Sequence, residues 1–157
     1  MLKIQTWNEN EILRQISESI KPNEFNTYIK LWKEMIKYIK NKENNWVWLA
    51  APQVWYNKRL IVISLLKTWD DENFQTILML NPKIIEYSNE CDILEEWCLS
   101  LPWKKWNVER YKNIKIEFID DKKTKKVMLL SWISSRIFQH EIDHLNWILF
   151  TDKILKN

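Results

Sequence analysis

The chain of 157 residues contains no glycine. This absence constrains its folding more than any motif, because glycine takes positive φ without steric cost. Tight turns, helix C-termini and close approaches of backbone to a ligand all use that freedom. An average composition would put glycine at about 7% of positions. The chain carries 11 tryptophans instead, and they crowd the places where glycine is wanted. Trp7, Trp69, Trp103, Trp106 and Trp147 adjoin Asn, Asp or Pro in turn-like surroundings, and three more fall within "NNWVWLAAPQVW", residues 44–55. Only Trp32 lies on an amphipathic stripe where packing would welcome an indole.

The remaining composition is that of an ordinary globular domain, with 46% hydrophobic and 29% charged residues and a net charge of +3. A length of this order predicts a single domain over residues 1–157. Lys and Arg (24) barely outnumber Asp and Glu (21), which gives no electrostatic case for nucleic-acid specificity. Apolar runs such as "LIVISLL" are strand-sized, and "MLKIQTWNENEILRQ" turns polar within a few residues. The expectation is therefore no membrane span, no signal peptide and a cytoplasmic location.

Periodicity divides the chain. Phe25, Tyr28, Ile29, Trp32, Met35, Ile36 and Ile39 recur at helical spacing within 23–42, and a shorter helix is expected over 11–20, ended by Pro22. "RLIVISLL", "QTILML", "KIIEY", "IKIEFID" and "KKVMLL" read as strands, the last two as a hairpin across "DDKKTK". From Ser131, a candidate N-cap, "WISSRIFQHEIDHL" returns to helical period and closes at Asn146-Trp147.

Within that last helix lie the only two histidines of the chain, His140 and His144. At i and i+4 they project from one face and can share a divalent metal, with Glu141 placed to deprotonate water rather than to ligate. A third ligand must come from a distant carboxylate or a thiolate. Cys98, in "EEWCLSLP", is the better cysteine, whereas Cys91, in the polar "SNECD", reads as a plain loop residue. Neither is expected in a disulfide.

"WVWLAAPQ" at 46–53, "EWCLS" at 96–100 and "QHEIDHL" at 139–145, in that order, resemble the three motifs of the peptide deformylases, G-x-G-L-A-A-x-Q, E-G-C-L-S and Q-H-E-x-D-H-L. The resemblance continues through "LNPKI", "CLSLPWKKWNVERY" and "NWILF". It implies an α+β fold in which antiparallel β-sheets pack around a central metal-binding helix, with helices at the N-terminus. It implies Cys98, His140 and His144 as ligands of one divalent ion, Fe2+ in the cell with zinc, nickel or cobalt able to replace it. Glu141 would be general base and then general acid, and Gln53 and the backbone N–H of Leu99 would meet the oxyanion. Formyl-methionyl nascent peptides would be the substrates and formate a product. Val47, Leu94, Ile133 and Ile137 would line the methionine pocket, Glu96 and Arg110 would support the site, and residues 48 and 97 would lie along the bound peptide. Because the chain ends soon after "NWILFTDKI", ribosome association is expected to be weak and transient. The alternatives are a general metallopeptidase with the same helix motif, and an inactive relative that only binds.

At Trp46, Trp48 and Trp97 the deformylase motifs have glycine, and a real indole at 48 or 97 would fill the site. The expectation is that these tryptophans are UGA codons read as glycine in the gene's own genetic code. The abundance of Lys, Ile and Asn, which points to a genome rich in A and T, agrees with that reading.

Overall fold

The computed structural model describes residues 2–41, 44, 47–65 and 75–154. Its first helix, α1 (Phe25–Lys40), is the one the apolar stripe predicts. Phe25, Leu31, Met35 and Ile39 are buried, and lysines hold the solvent face. Five antiparallel strands form the main sheet in the order β1-β2-β3-β6-β7: β1 (Trp48–Ala50), β2 (Leu60–Leu65), β3 (Gln75–Tyr87), β6 (Asn113–Ile119) and β7 (Lys125–Ser131). A separate two-stranded ribbon pairs β4 (Cys91–Cys98) with β5 (Leu101–Tyr111). The second helix, α2, spans Trp132–His144. Mixed helix and antiparallel sheet make the fold α+β.

The two helices cover opposite faces of the sheet, which explains why β2 reads as an unbroken apolar run. Leu60 and Val62 face α1 with Leu78 and Leu80, whereas Ile61 and Ile63 face α2 with Met79, Ile116, Phe138 and Ile142. A strand buried on both faces has no polar alternation to show. A third apolar cluster, Leu13, Cys98, Leu101, Val108, Leu149 and Phe150, fastens the ribbon to both ends of the chain. No helix among the described residues is long and apolar enough to cross a membrane.

Three expectations need correction. The helix over 11–20 is only a 3-10 turn, Glu11–Arg14. Beyond it the backbone finds distant partners, Ser17 N–H to Leu145 O at 2.9 Å and Arg59 N–H to Glu18 O at 2.9 Å. Long-range pairing therefore outcompetes the local helix. "QTILML" and "KIIEY" are one strand, β3, because a bulge absorbs Asn81-Pro82. Asn81 takes φ 51° there, and its side-chain amide bonds both the N–H and the C=O of Ile20 at 2.8 Å. Cys91 is no loop residue but the first residue of β4, paired with Tyr111.

Candidate active site

The end of β4 and the last turns of α2 converge. A register shift between Trp97 and Cys98 turns the ribbon sharply, so that Cys98 pairs with Leu101 across Leu99 and Ser100. Cys98, His140 and His144 are all buried, and their ligand atoms lie within 4.8 Å of one another. Bonds of about 2.3 Å to sulfur and about 2.0–2.1 Å to nitrogen span such a separation once the side chains settle on an ion. His144 Nε2 already faces Cys98 Sγ at 3.2 Å. His140 Nδ1 contacts Glu96 Oε2 at 3.0 Å, while its Nε2 is buried with no hydrogen-bond partner among the described residues. A proton on Nδ1 leaves the Nε2 lone pair for a metal.

Electrostatics prepares the donors. Burial, then the charges of His140 and Arg110, push His144 well below the ordinary imidazole value, so it is neutral and ready to ligate. Burial, and then the Glu141 carboxylate, push the Cys98 thiol up to about 12. A bound cation reverses that order, because it stabilises the thiolate directly.

Glu141 is fully buried, and neither carboxylate oxygen has a hydrogen-bond partner among the described residues. Its proton affinity is raised well above the carboxylate range by burial and then by Glu96, with Arg110 opposing. An unpaired buried carboxylate is costly, and it persists where a proton must be held and passed on. Gln53 lies beside Cys98. Its Oε1 accepts the Ala50 N–H at 2.8 Å, which turns Nε2 toward Ser100 Oγ at 3.3 Å and Cys98 Sγ at 3.5 Å. Leu99 occupies the turn that follows Cys98.

Glu96, two residues before Cys98 on the same face of β4, is the hub beneath the ligands. It accepts from Arg110 Nε at 2.8 Å and Nη2 at 2.9 Å, from Arg136 Nη1 at 2.7 Å and from His140. Arg110 also pairs with Asp143. Burial alone would raise the Glu96 carboxyl, but the bonds from Arg110 and then His140 hold it well below its usual 4.5. The unfolded chain therefore binds this proton more readily, so the stabilisation is complete above pH 4.5 and is lost as pH falls below it. Denaturant titration of the metal-free protein at pH 7 and pH 3.5 should show that acid-side loss, and Glu96→Gln should reduce it.

The residues expected to receive methionine come from α2, from β4 and from the segment that leads into β1. Ile133, Ile137 and Glu141 stack at four-residue spacing on α2, with Ile133 exposed and Ile137 half-buried. Leu94 shares the β4 face of Glu96 and is exposed. Val47 is half-buried, and its carbonyl accepts the Ser64 N–H at 2.7 Å. Trp48 is half-buried in β1, and Trp97, next to Cys98, is exposed. Trp46 and Trp69 lie outside the described residues. Ser131 stands before α2 in extended conformation but makes no side-chain capping bond. Sequence reasoning missed Arg136, Asp92, Asp143 and Ser100. A usable signal existed for the first, since Arg136 stands four residues before His140 on the same helix.

The backbone bears directly on the tryptophans. Among the described residues seven have positive φ, and five of them are Trp7 (82°), Trp55 (74°), Trp103 (70°), Trp132 (53°) and Trp147 (61°). Trp147 takes left-handed backbone just beyond α2, where the Ile148 N–H returns to Asp143 O at 3.0 Å. All five indoles are more than half exposed, Trp103 at 96%, so packing does not compensate the conformation. Trp32 is half-buried on α1, but its Nε1 is buried without a hydrogen-bond partner among the described residues.

Comparison with known proteins agrees with this geometry. A profile of the family described as polypeptide deformylase matches residues 1–157. The peptide deformylases of Prochlorococcus marinus strains MIT 9312 and NATL1A are 36% and 41% identical over 92% and 80% of this chain, which spans 70% and 60% of their respective lengths. A class I type b peptide deformylase of Acinetobacter baumannii, solved with Met-Ala-Ser bound, superposes with a TM-score of 0.85 at 32% identity, covering 98% of each chain. With a whole-length profile match, relatives of this identity and a shared fold, the chain belongs to the polypeptide deformylase family.

Proposed function

We infer that this chain hydrolyses the formyl group from the N-terminal formyl-methionine of newly synthesised polypeptides, releasing formate. The observation that carries the inference is the unpartnered Glu141 carboxylate, buried beside the free Nε2 of His140 and the Cys98–His144 pair. The three donors fit a divalent ion of borderline softness, Fe2+ first and Zn2+, Ni2+ or Co2+ as substitutes. Bound there, it would supply Lewis acidity toward water and the formyl oxygen. Glu141 takes the proton of the attacking water as its oxygen bonds to the formyl carbon. It then returns that proton to the amine nitrogen as the C–N bond breaks, leaving formate and a free N-terminus. Gln53 Nε2, already aimed at Cys98 Sγ, and the Leu99 N–H stabilise the negative charge that develops on the formyl oxygen. Val47, Leu94, Ile133 and Ile137 accept the unbranched thioether, and residues 48 and 97 border the peptide. The Met-Ala-Ser bound to the Acinetobacter protein is the kind of chain this reaction leaves. One catalytic domain, residues 1–157, acts in the cytoplasm and touches the ribosome weakly and transiently.

Metal-loaded protein with glycine at 46, 48 and 97, incubated with formyl-Met-Ala, tests the reading. Formate and intact Met-Ala are expected in equal amounts. Cleavage of the internal amide instead would assign a metallopeptidase.

The active form carries glycine at most of its tryptophan positions. Support comes from the left-handed backbone at five of them and from the glycines of the deformylase motifs at 46, 48 and 97.

A further inference from the structure

We propose that Arg136 is a positioning residue for the metal ligand His140, acting through Glu96 and bracing α2 against the ribbon that carries Cys98. This rests on the metal-site reading above. Arg136 sits one helical turn before His140 and is 6% exposed. Its Nη1 donates to Glu96 Oε1 at 2.7 Å and to the Val108 carbonyl at 2.9 Å. Its Nη2 donates to the Asp92 carbonyl at 3.0 Å and to the Asp92 carboxylate. One guanidinium thus joins α2 to both strands of the ribbon.

The division of donors at Glu96 gives the brace its purpose. Arg110 grips both oxygens, which fixes the plane of the carboxylate. Arg136 adds a second bond at Oε1 and His140 Nδ1 a second bond at Oε2. Without Arg136, Oε1 keeps only Arg110. Glu96 and the Arg110 fork that grips it can then shift together as a unit, and the imidazole they orient shifts with them. Charge within the network balances, with Arg110, Arg136 and Lys153 facing Asp92, Glu96 and Asp143.

Stability does not account for this arrangement. A buried ion pair is often matched or bettered by apolar side chains of similar volume, and the Arg136 Nε is buried without a hydrogen-bond partner among the described residues. What a guanidinium adds over an apolar side chain is a fork of fixed geometry. That fork sets the separation between the helix bearing two ligands and the strand bearing the third.

The test compares full-length protein with Arg136→Gln, Arg136→Lys and Asp92→Asn. Zn2+ affinity is measured by chelator competition, the visible spectrum of the Co2+ form is recorded, and kcat and KM are determined separately. Loss of an outer partner of a metal ligand typically costs 10–100-fold in affinity, and Arg136→Gln is expected near the lower end, about tenfold. Its Co2+ spectrum should shift, and kcat should fall with KM little changed. Arg136→Lys should recover part of the affinity. Asp92→Asn, which leaves Arg136 in place but loosens its far end, should fall between Arg136→Gln and the unsubstituted protein, and it provides the answer if Arg136→Gln does not fold. Unchanged affinity and an unchanged spectrum, with only a lower thermal midpoint, would make Arg136 merely structural and overturn the proposal. Failure of the unsubstituted protein to bind Zn2+ would instead defeat the metal-site reading, and this inference with it.

Discussion

Glycine in place of Trp7, Trp55, Trp103, Trp132 and Trp147 should raise the thermal midpoint by roughly 10–20 °C. All five residues hold positive φ, where an L-residue with a Cβ pays about 1–2 kcal/mol that glycine does not. Part of that gain is offset because glycine loses more conformational freedom on folding, leaving about 1 kcal/mol per site. Well-separated sites add, and in a domain of this size each kcal/mol moves the midpoint by about 2–4 °C. Trp32→Gly, inside α1, serves as the control: it should lower the midpoint, since glycine in a helix interior costs about 1 kcal/mol and packing is lost as well. Glycine at 48 and 97 should raise deformylation itself, by reopening the approach to Cys98. Calorimetry of the five-fold variant decides the point, and no gain in midpoint would count against glycine as the natural residue. Peptide sequencing of the natural protein reads the same answer directly.

The second large effect belongs to Glu141. Glu141→Gln keeps the shape of the side chain but cannot take a proton, so deformylation should fall by about 10²–10⁴-fold. Metal content should stay unchanged, because Glu141 is not among the three clustered donors. Cys98→Ala should lose both metal and activity. The contrast between the two variants separates proton transfer from ligation, and equal metal loss in both would place Glu141 among the ligands.

How much of this was legible in the sequence depended on what each segment buries. The stripe of α1, the apolar run of β2 and the hairpin of β6 and β7 announce themselves because apolar burial follows the period of the element. The ribbon of β4 and β5 does not. Of its buried residues, Glu96 and Arg110 are charged, so the usual link between polarity and exposure is inverted and neither strand stands out. The site divides the same way. Cys98, His140, His144, Glu141 and Gln53 are visible as residue types at fixed spacing, whereas the brace formed by Asp92, Arg136 and Val108 exists only once α2 crosses the ribbon. The segment 15–20 misled because its local pattern suits a helix, while Ser17 and Glu18 bond to residues far along the chain. Tryptophan at left-handed positions was legible only as a misfit with turn chemistry, and the backbone angles give that misfit a physical measure.

The most direct test of the whole account is the formate released from formyl-Met-Ala-Ser by the chain with glycine at 48, 97 and the five left-handed positions, loaded with one equivalent of divalent metal. The account predicts many turnovers, one formate for each new amino terminus, no cleavage within the peptide, and loss of activity on chelation. A folded protein that binds one metal ion per chain and releases no formate would contradict it.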